Sequence, residues 1–256
     1  MMLAYLACVP AFTLPDGRVG HVLRSESAVS DLIRDRVAEV ARVAIAEKGC
    51  FSLSIGSGTT VEPLASLAGA LDWSCVHLFF GNERTEGEAA GKCWAGAEEL
   101  IATCGVGHVH RVPAGPAADA AEAYSRTLLD SPAVGTCEGT GLPSLDCVLL
   151  GSGADGHCAS LYPGSAQVVV SPGCDRACLE AEGKGGVTLS IDAISSARTV
   201  LLSAAKPEQA AMVRKCLGWS NAERNTGMPA GMVTCAYGAQ VEWLLTDASA
   251  VELPAL

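Results

Sequence analysis

Apolar positions along the chain switch between two periods. Val29, Ile33, Val37, Val40 and Ala44 recur at helical spacing, with Ser27 or Ser30 as the cap and Gly49 as the stop. Phe51, Leu53 and Ile55 then alternate as a short strand ending at Gly56-Ser57-Gly58-Thr59-Thr60. A helix is predicted from about Val61 to Ala70, with Pro63 tolerated in its first turn. Cys75 to Phe80 is a near-continuous apolar run, the pattern of a strand covered on both faces. Helical segments are predicted around Ala89–Ala102 and Ala117–Leu129. A third strand, Leu145 to Leu150, runs into a glycine-rich turn, Gly151 to His157. Val187–Ser190 and Thr199–Ser203 read as strands, Pro207 to about Leu217 as a helix, and Val241–Leu245 as the last strand. Strands alternating with helices predict an α/β fold, an open, mostly parallel sheet flanked by helices. Ligands of such sheets bind beyond the carboxyl ends of strands. Three loops fall there: after Ile55, after Phe80 and after Leu150.

Composition narrows the class. The 256 residues are 49% hydrophobic and carry neither an internal repeat nor a Ser/Gly-rich linker, so one domain is expected over residues 21–256. Residues 1–20 are set apart as an N-terminal extension of undetermined order. Lys+Arg is 17 against Asp+Glu 28, a formal charge of -11, which argues against nucleic-acid binding because phosphate backbones need clustered cations. A small anion needs only a few cations and backbone N–H groups, so it stays open. Mean hydropathy is +0.30, yet no apolar run approaches the roughly 18 residues of a spanning helix, so no membrane role is expected. The 12 cysteines are scattered singly through apolar segments, as buried thiols in a reducing compartment would be, and cytoplasm is the expectation. Cys174 and Cys178 have no second pair at zinc-site spacing, so no metal is expected. Met1 to Leu14 is apolar but lacks a basic start and is interrupted by Pro10, against a signal peptide.

Each loop has a chemical and a bland reading. Gly56 to Thr60 has the make-up of a phosphate cradle, with flexible backbone, hydroxyls and a following helix start, and equally that of an ordinary strand-to-helix turn. It is neither a Walker A loop nor GxGxxG. Arg84, in Gly81-Asn82-Glu83-Arg84, suits a bidentate grip on phosphate or a surface ion pair. Asp155-Gly156-His157 places an imidazole just after a buried strand, as a general base or as a capping and packing residue. Cys158 beside it is discounted as a nucleophile, and His108-x-His110 is read as structural.

The sequence from Leu149 to Gly164 resembles the G-x-G-x-D-G-H-T-A-S-L-F-P-G hallmark of the 6-phosphogluconolactonase family. Other segments agree in order: the Gly/Ser/Thr loop, Phe79 to Arg84, Val187-Thr188-Leu189-Ser190, Lys206 after a late strand, and Val241-x-Trp243. The likeness spans roughly Val22 to Ala250. The same superfamily includes glucosamine-6-phosphate deaminases, whose motif continues to an acidic residue five positions after the His; here that position is Tyr162. The lactonase branch is preferred.

This resemblance implies a Rossmann-like fold and hydrolysis of 6-phospho-D-glucono-1,5-lactone to 6-phospho-D-gluconate, with no cofactor and no macromolecular partner, by a monomer. It implies His157 as the base that activates water and returns the proton to the ring oxygen, with Asp155 orienting it or capping the turn. Backbone N–H groups around Gly151, Gly153 and Gly156 would stabilise the oxyanion. Gly56, Ser57, Gly58, Thr59, Asn82, Arg84 and Lys206 would bind substrate, with the first loop, Arg84 and Lys206 on its phosphate. Departures from the pattern are Gly58 near an expected Ser, Asn82 for an aspartate, and Gly186 for an Arg, with Lys184 two residues earlier. With Asn82 neutral, either Asp155 or Glu83 supplies a carboxylate for His157, or the lactone chemistry tolerates its absence. The alternatives are a deaminase-like enzyme and a non-catalytic sugar-phosphate-binding protein.

Overall fold

The computed structural model describes residues 11–254 apart from 172, 182 and 219–226. The chain opens with β1 (Ala11–Thr13) and β2 (Val19–Leu23), which pair antiparallel. α1 (Glu26–Lys48) and β3 (Phe51–Ile55) follow. A 3-10 segment, Glu62–Leu67, leads to β4 (Val76–Phe80), β5 (Asn82–Arg84), α2 (Lys92–Cys104) and β6 (His108–Val109). Next come α3 (Ala117–Leu129), β7 (Gly135–Thr136), β8 (Pro143–Ser144) and β9 (Cys147–Gly151). α4 (Ala166–Val170), β10 (Cys178–Ala181), β11 (Gly186–Leu189) and α5 (Ile191–Ser195) precede β12 (Thr199–Ala204). α6 (Ala210–Leu217), α7 (Pro229–Met232) and β13 (Gln240–Thr246) end the series.

Among the described residues the main sheet has eight strands in the order β1-β2-β13-β12-β9-β3-β4-β6, with every pairing parallel except β1 with β2. Its central strands are apolar on both faces: Phe51, Leu53, Val76, Leu78, Val148, Leu149, Val200 and Leu201 are fully buried. Burial at about 25 cal/mol per Å² of apolar surface makes this layer the main source of stability. From β3 the chain moves outward to β4 and β6, whereas β9, β12 and β13 step outward on the other side. The strand order therefore reverses between β3 and β9, which places a crevice at their carboxyl ends.

Local signals explain most boundaries. α1 is capped earlier than the Ser27 or Ser30 reading, because Ser25 accepts the Ala28 N–H at 3.2 Å; Gly49, at φ 79, closes the helix in the left-handed region. α2 starts at Lys92, later than Ala89, where the Glu83 carboxylate accepts the N–H groups of Cys93 and Trp94. The helix expected over Val61–Ala70 is instead a tighter 3-10 segment. Leu64 and Leu67, three residues apart, eclipse on one side of it and are both buried.

Two further readings change. Asn82–Arg84 is a strand and not a loop; it joins β10 and β11 in a separate antiparallel sheet, so Val187–Leu189 lies outside the main sheet. Gly186 is forced by that pairing, since a Cβ there would lie 2.2 Å from the Glu83 carbonyl oxygen. Residues 11–13 and 19–20 are also sheet-paired, so only 1–10 of the expected extension lie outside the described residues. Among the described residues, no helix is long and apolar enough to cross a membrane.

Candidate active site

The crevice between β3 and β9 opens into a cavity of about 480 Å³. Gly56, Ser57, Gly58 and Thr59 line it from the end of β3, and Gly151, Gly153 and His157 from the end of β9. Asn82 enters from β5, and Lys206 from the turn after β12. Seven of the sequence-selected residues thus come from two loops joined by one strand pairing, in which Ile55 sits opposite Leu149.

The first loop keeps its donors available. Gly56 gives its N–H to Leu149, and the next donation within the loop is from Val61 to Gly58. Among the described residues, the N–H groups of Ser57, Gly58, Thr59 and Thr60 donate to no protein acceptor. Gly58 adopts φ +84, a conformation in which a side chain would be strained. Four consecutive free donors around a left-handed glycine form a concavity suited to an anion.

The second loop is built around His157. Its Nδ1 lies 2.6 Å from Asp155 Oδ1, and the same oxygen accepts the His157 backbone N–H at 3.1 Å. Partial burial works against the Asp155 charge, but these two hydrogen bonds and the facing imidazole outweigh it and lower its pKa. An ionised Asp155 accepts, so the imidazole proton sits on Nδ1 and Nε2 carries the lone pair. Gly153 is required beside this pair: a Cβ there would meet His157 Nδ1 at 2.2 Å and Asp155 Oδ1 at 2.5 Å. Gly156 adopts φ +88 behind the loop and, like Asp155, does not line the cavity.

Of the two candidate carboxylates, one contacts His157. Glu83 is 3% exposed and bonds the N–H groups of Arg84, Cys93 and Trp94, so it caps α2 and Asp155 is the partner. Arg84 also departs from its expected place. It does not line the cavity; its Nη1 donates to Ser160 Oγ at 3.0 Å, and the Asn82 amide donates to the same oxygen at 3.0 Å. Ser160, 3% exposed, therefore links the two β5 side chains to the His157 segment. Ser160 falls within the hallmark, but its role is not legible from sequence because its partners lie 76 and 78 residues away.

The oxyanion donors narrow as well. Ser152 donates its N–H to Ser203, Gly153 to His157 and Gly156 to Gly153, so Gly153 and Gly156 cannot donate to a ligand. Among the described residues of this turn, the Ala154 N–H remains without a protein acceptor, and Ala154 lines the cavity. Cys158 is fully buried, and burial with nearby Cys216 pushes its thiol up to about 12, so it keeps its proton and is no nucleophile. His77, His108 and His110 stack on one another along β4 and β6, where burial lowers His77 to about 4; they take no part in this cavity.

A strand-end cavity lined by a carboxylate-paired histidine and by a run of open backbone N–H groups is the candidate site of this α/β fold. The chain belongs to the family described as glucosamine-6-phosphate isomerases/6-phosphogluconolactonase, whose model matches residues 24–243. A 6-phosphogluconolactonase of Rhizobium meliloti (strain 1021) is 33% identical over 174 residues, 64% of this chain and 72% of that protein. A probable 6-phosphogluconolactonase 2 of Arabidopsis thaliana is 27% identical over 81% of this chain and 85% of its own length. With a chloroplastic probable 6-phosphogluconolactonase 3 of Oryza sativa subsp. indica, the chain spans about half the length of that relative, 48%, at 29% identity. Among solved structures, the 6-phosphogluconolactonase of Leishmania guyanensis shares the fold at a TM-score of 0.74 and 22% identity, covering 92% of this chain and 98% of that one.

Proposed function

We propose that this protein hydrolyses 6-phospho-D-glucono-1,5-lactone to 6-phospho-D-gluconate. The observation that carries the reading is His157, paired with Asp155 at 2.6 Å and lining a cavity that also holds the Ser57–Thr60 cradle. A lactone is an activated ester, so one positioned base suffices, with no covalent nucleophile. His157 Nε2 takes a proton from water as the water oxygen attacks the lactone carbonyl carbon. The imidazolium that forms is stabilised by Asp155. The carbonyl oxygen gains charge and is met by the Ala154 N–H. Collapse breaks the bond from that carbon to the ring oxygen, and His157 returns the proton to the departing oxygen. The substrate phosphate sits in the Ser57–Thr60 cradle beside Lys206, which fixes the reacting carbon by binding energy spent elsewhere.

Tyr162 lies with its ring 4.7 Å from the His157 ring, where the deaminase pattern would place a carboxylate, and this favours the lactonase reading over deamination. The test is a coupled assay in which glucose-6-phosphate dehydrogenase generates the lactone and 6-phosphogluconate formation is timed with and without the protein. Acceleration supports the reading. Tight sugar-phosphate binding without acceleration would replace it with the non-catalytic one.

A further inference from the structure

Three supports converge on the His157 ring, and one of them has no part in the chemistry above. Asp155 holds the Nδ1 edge and Gly153 passes beside it. The third is Tyr162, stacked on the imidazole with ring centres 4.7 Å apart and planes inclined by 29°. The backbone is bent to bring it there. Leu161 donates its N–H back to Cys158 at 3.0 Å across a turn in which Ala159 adopts φ 51, rare for a residue with a Cβ. Such a conformation is strained and persists where its surroundings require it. Behind Tyr162 stands a cation: Lys184 Nζ lies 4.9 Å from the ring centre. Lys184 is delivered by the β10–β11 turn, whose Gly183 and Gly185 adopt φ 63 and φ 58. That turn is docked in turn, since the Gly185 carbonyl accepts the N–H groups of Thr85 and Glu86.

We propose that Tyr162 is a positioning residue for His157, clamping the imidazole face so that Nε2 points into the cavity, and that Lys184 holds Tyr162 through a cation–π contact. An imidazole fixed only by one edge hydrogen bond can swing about that bond; a stacked ring removes the swing. The charged and titratable groups around the imidazole are Asp155 on its own loop, Tyr162 and Lys184 on the stacked side, and Glu26, Lys206 and Glu208 across the cavity. The kinetic half of the inference rests on the lactonase reading, whereas the geometric half does not.

The test therefore has two readouts. The first is the His157 Nδ1 proton resonance, assigned by its disappearance in His157→Gln and recorded without substrate. The second is the split between kcat and KM for the lactone. Tyr162→Leu, which keeps bulk but not the flat ring, should broaden or lose the resonance and lower kcat about tenfold, within the range known for misplaced catalytic groups, with KM changed less than about twofold. Tyr162→Phe should restore both. Lys184→Ala should lower kcat about threefold, the scale of an exposed cation–π contact, and sharpen the case that the cation acts through the tyrosine. A parent-like resonance and kcat in folded Tyr162→Leu would overturn the proposal, as would a failure of Tyr162→Phe to rescue. If the parent protein lacks lactonase activity, the functional reading falls, and the resonance alone still decides whether Tyr162 holds the ring.

Discussion

The two ends of the parallel sheet carry similar residue types and use them in opposite ways. At the amino ends, Arg36, Glu39, Asp146 and Arg198 line a cleft of about 360 Å³. Every one of these charges is spent on a neighbour. Glu242, 6% exposed, is bound by Arg36 and by His21 Nε2 at 3.0 Å. Asp146, 2% exposed, accepts from the Ser52 N–H and hydroxyl at 2.8 Å and faces Lys48 at 2.8 Å and Arg198 at 3.6 Å. At the carboxyl ends, Lys206 has no ion-pair partner among the described residues, the N–H groups of Ser57 to Thr60 donate to no protein acceptor among them, and His157 lines the cavity. A charge that is buried must be paired to be tolerated, whereas donors left open are available to a ligand. The lesson is that a cavity is read from which of its polar groups are unspent, and not from the residue types alone.

The comparison breaks hardest at His157. His157→Asn should remove about 10²–10⁴-fold in turnover, the usual worth of a positioned base, with an unchanged melting temperature. A folded variant with parent-like turnover would remove the distinction between the two ends. The opposite end should respond in stability and not in rate. Glu242→Gln leaves Arg36 and His21 around an uncharged partner and should cost about 3 kcal/mol, read as a lower denaturation midpoint, with kcat unchanged in the folded fraction. The pH sign follows. Burial disfavours the Glu242 charge, but His21 and Arg36 outweigh it and hold the carboxyl below its ordinary 4.5. Its contribution is full above that ordinary value and is lost as pH falls through the lower, folded value. Acid unfolding monitored by circular dichroism should therefore show a weaker pH dependence in Glu242→Gln below about pH 4.5.

Lys206→Ala should raise KM about tenfold and abolish the preference for the phosphorylated lactone over glucono-1,5-lactone, because a charge-assisted contact to phosphate is worth about 1.5–3 kcal/mol. Arg84→Ala should do less, about threefold, because its guanidinium holds Ser160 beside the cavity. Equal losses in both variants would place Arg84 on the phosphate after all. The smallest effect is expected from Asn82→Asp. A carboxylate added to the cavity wall favours the imidazolium, so the acid limb of the rate profile should move upward while the plateau stays within about twofold, since Asp155 already supplies the partner.

Short-range pattern was enough for much of this molecule. Near-continuous apolar runs mark β4 and β9, because strands buried between helix layers show no polar face, while β3 is marked by the alternation of Phe51, Leu53 and Ile55. Gly49 and the Gly-rich turns were legible because they serve conformations that few other residues adopt. The segment from Gly151 to His157 was legible as a site because its residues act on one another within a single turn: Asp155 reaches His157 two residues on.

What tertiary structure decided was the choice among partners distant in sequence. The sequence leaves Glu83, Asp155 or no carboxylate at all as the company of His157, and only the fold shows Glu83 capping α2, ten and eleven residues further on. Arg84 and Asn82 turned from loop residues into a strand by pairing with Gly186 and Thr188 about a hundred positions away, which drew Arg84 off the cavity and onto Ser160. The Gly153 and Gly156 N–H groups bond within the turn itself, which leaves the Ala154 N–H as the open donor there. Residue type and spacing determine what chemistry a segment is able to do; which hydrogen bonds remain unspent depends on pairings that form only when the sheet brings remote segments together, and that is why the sequence pointed to the loop and the fold chose the atoms.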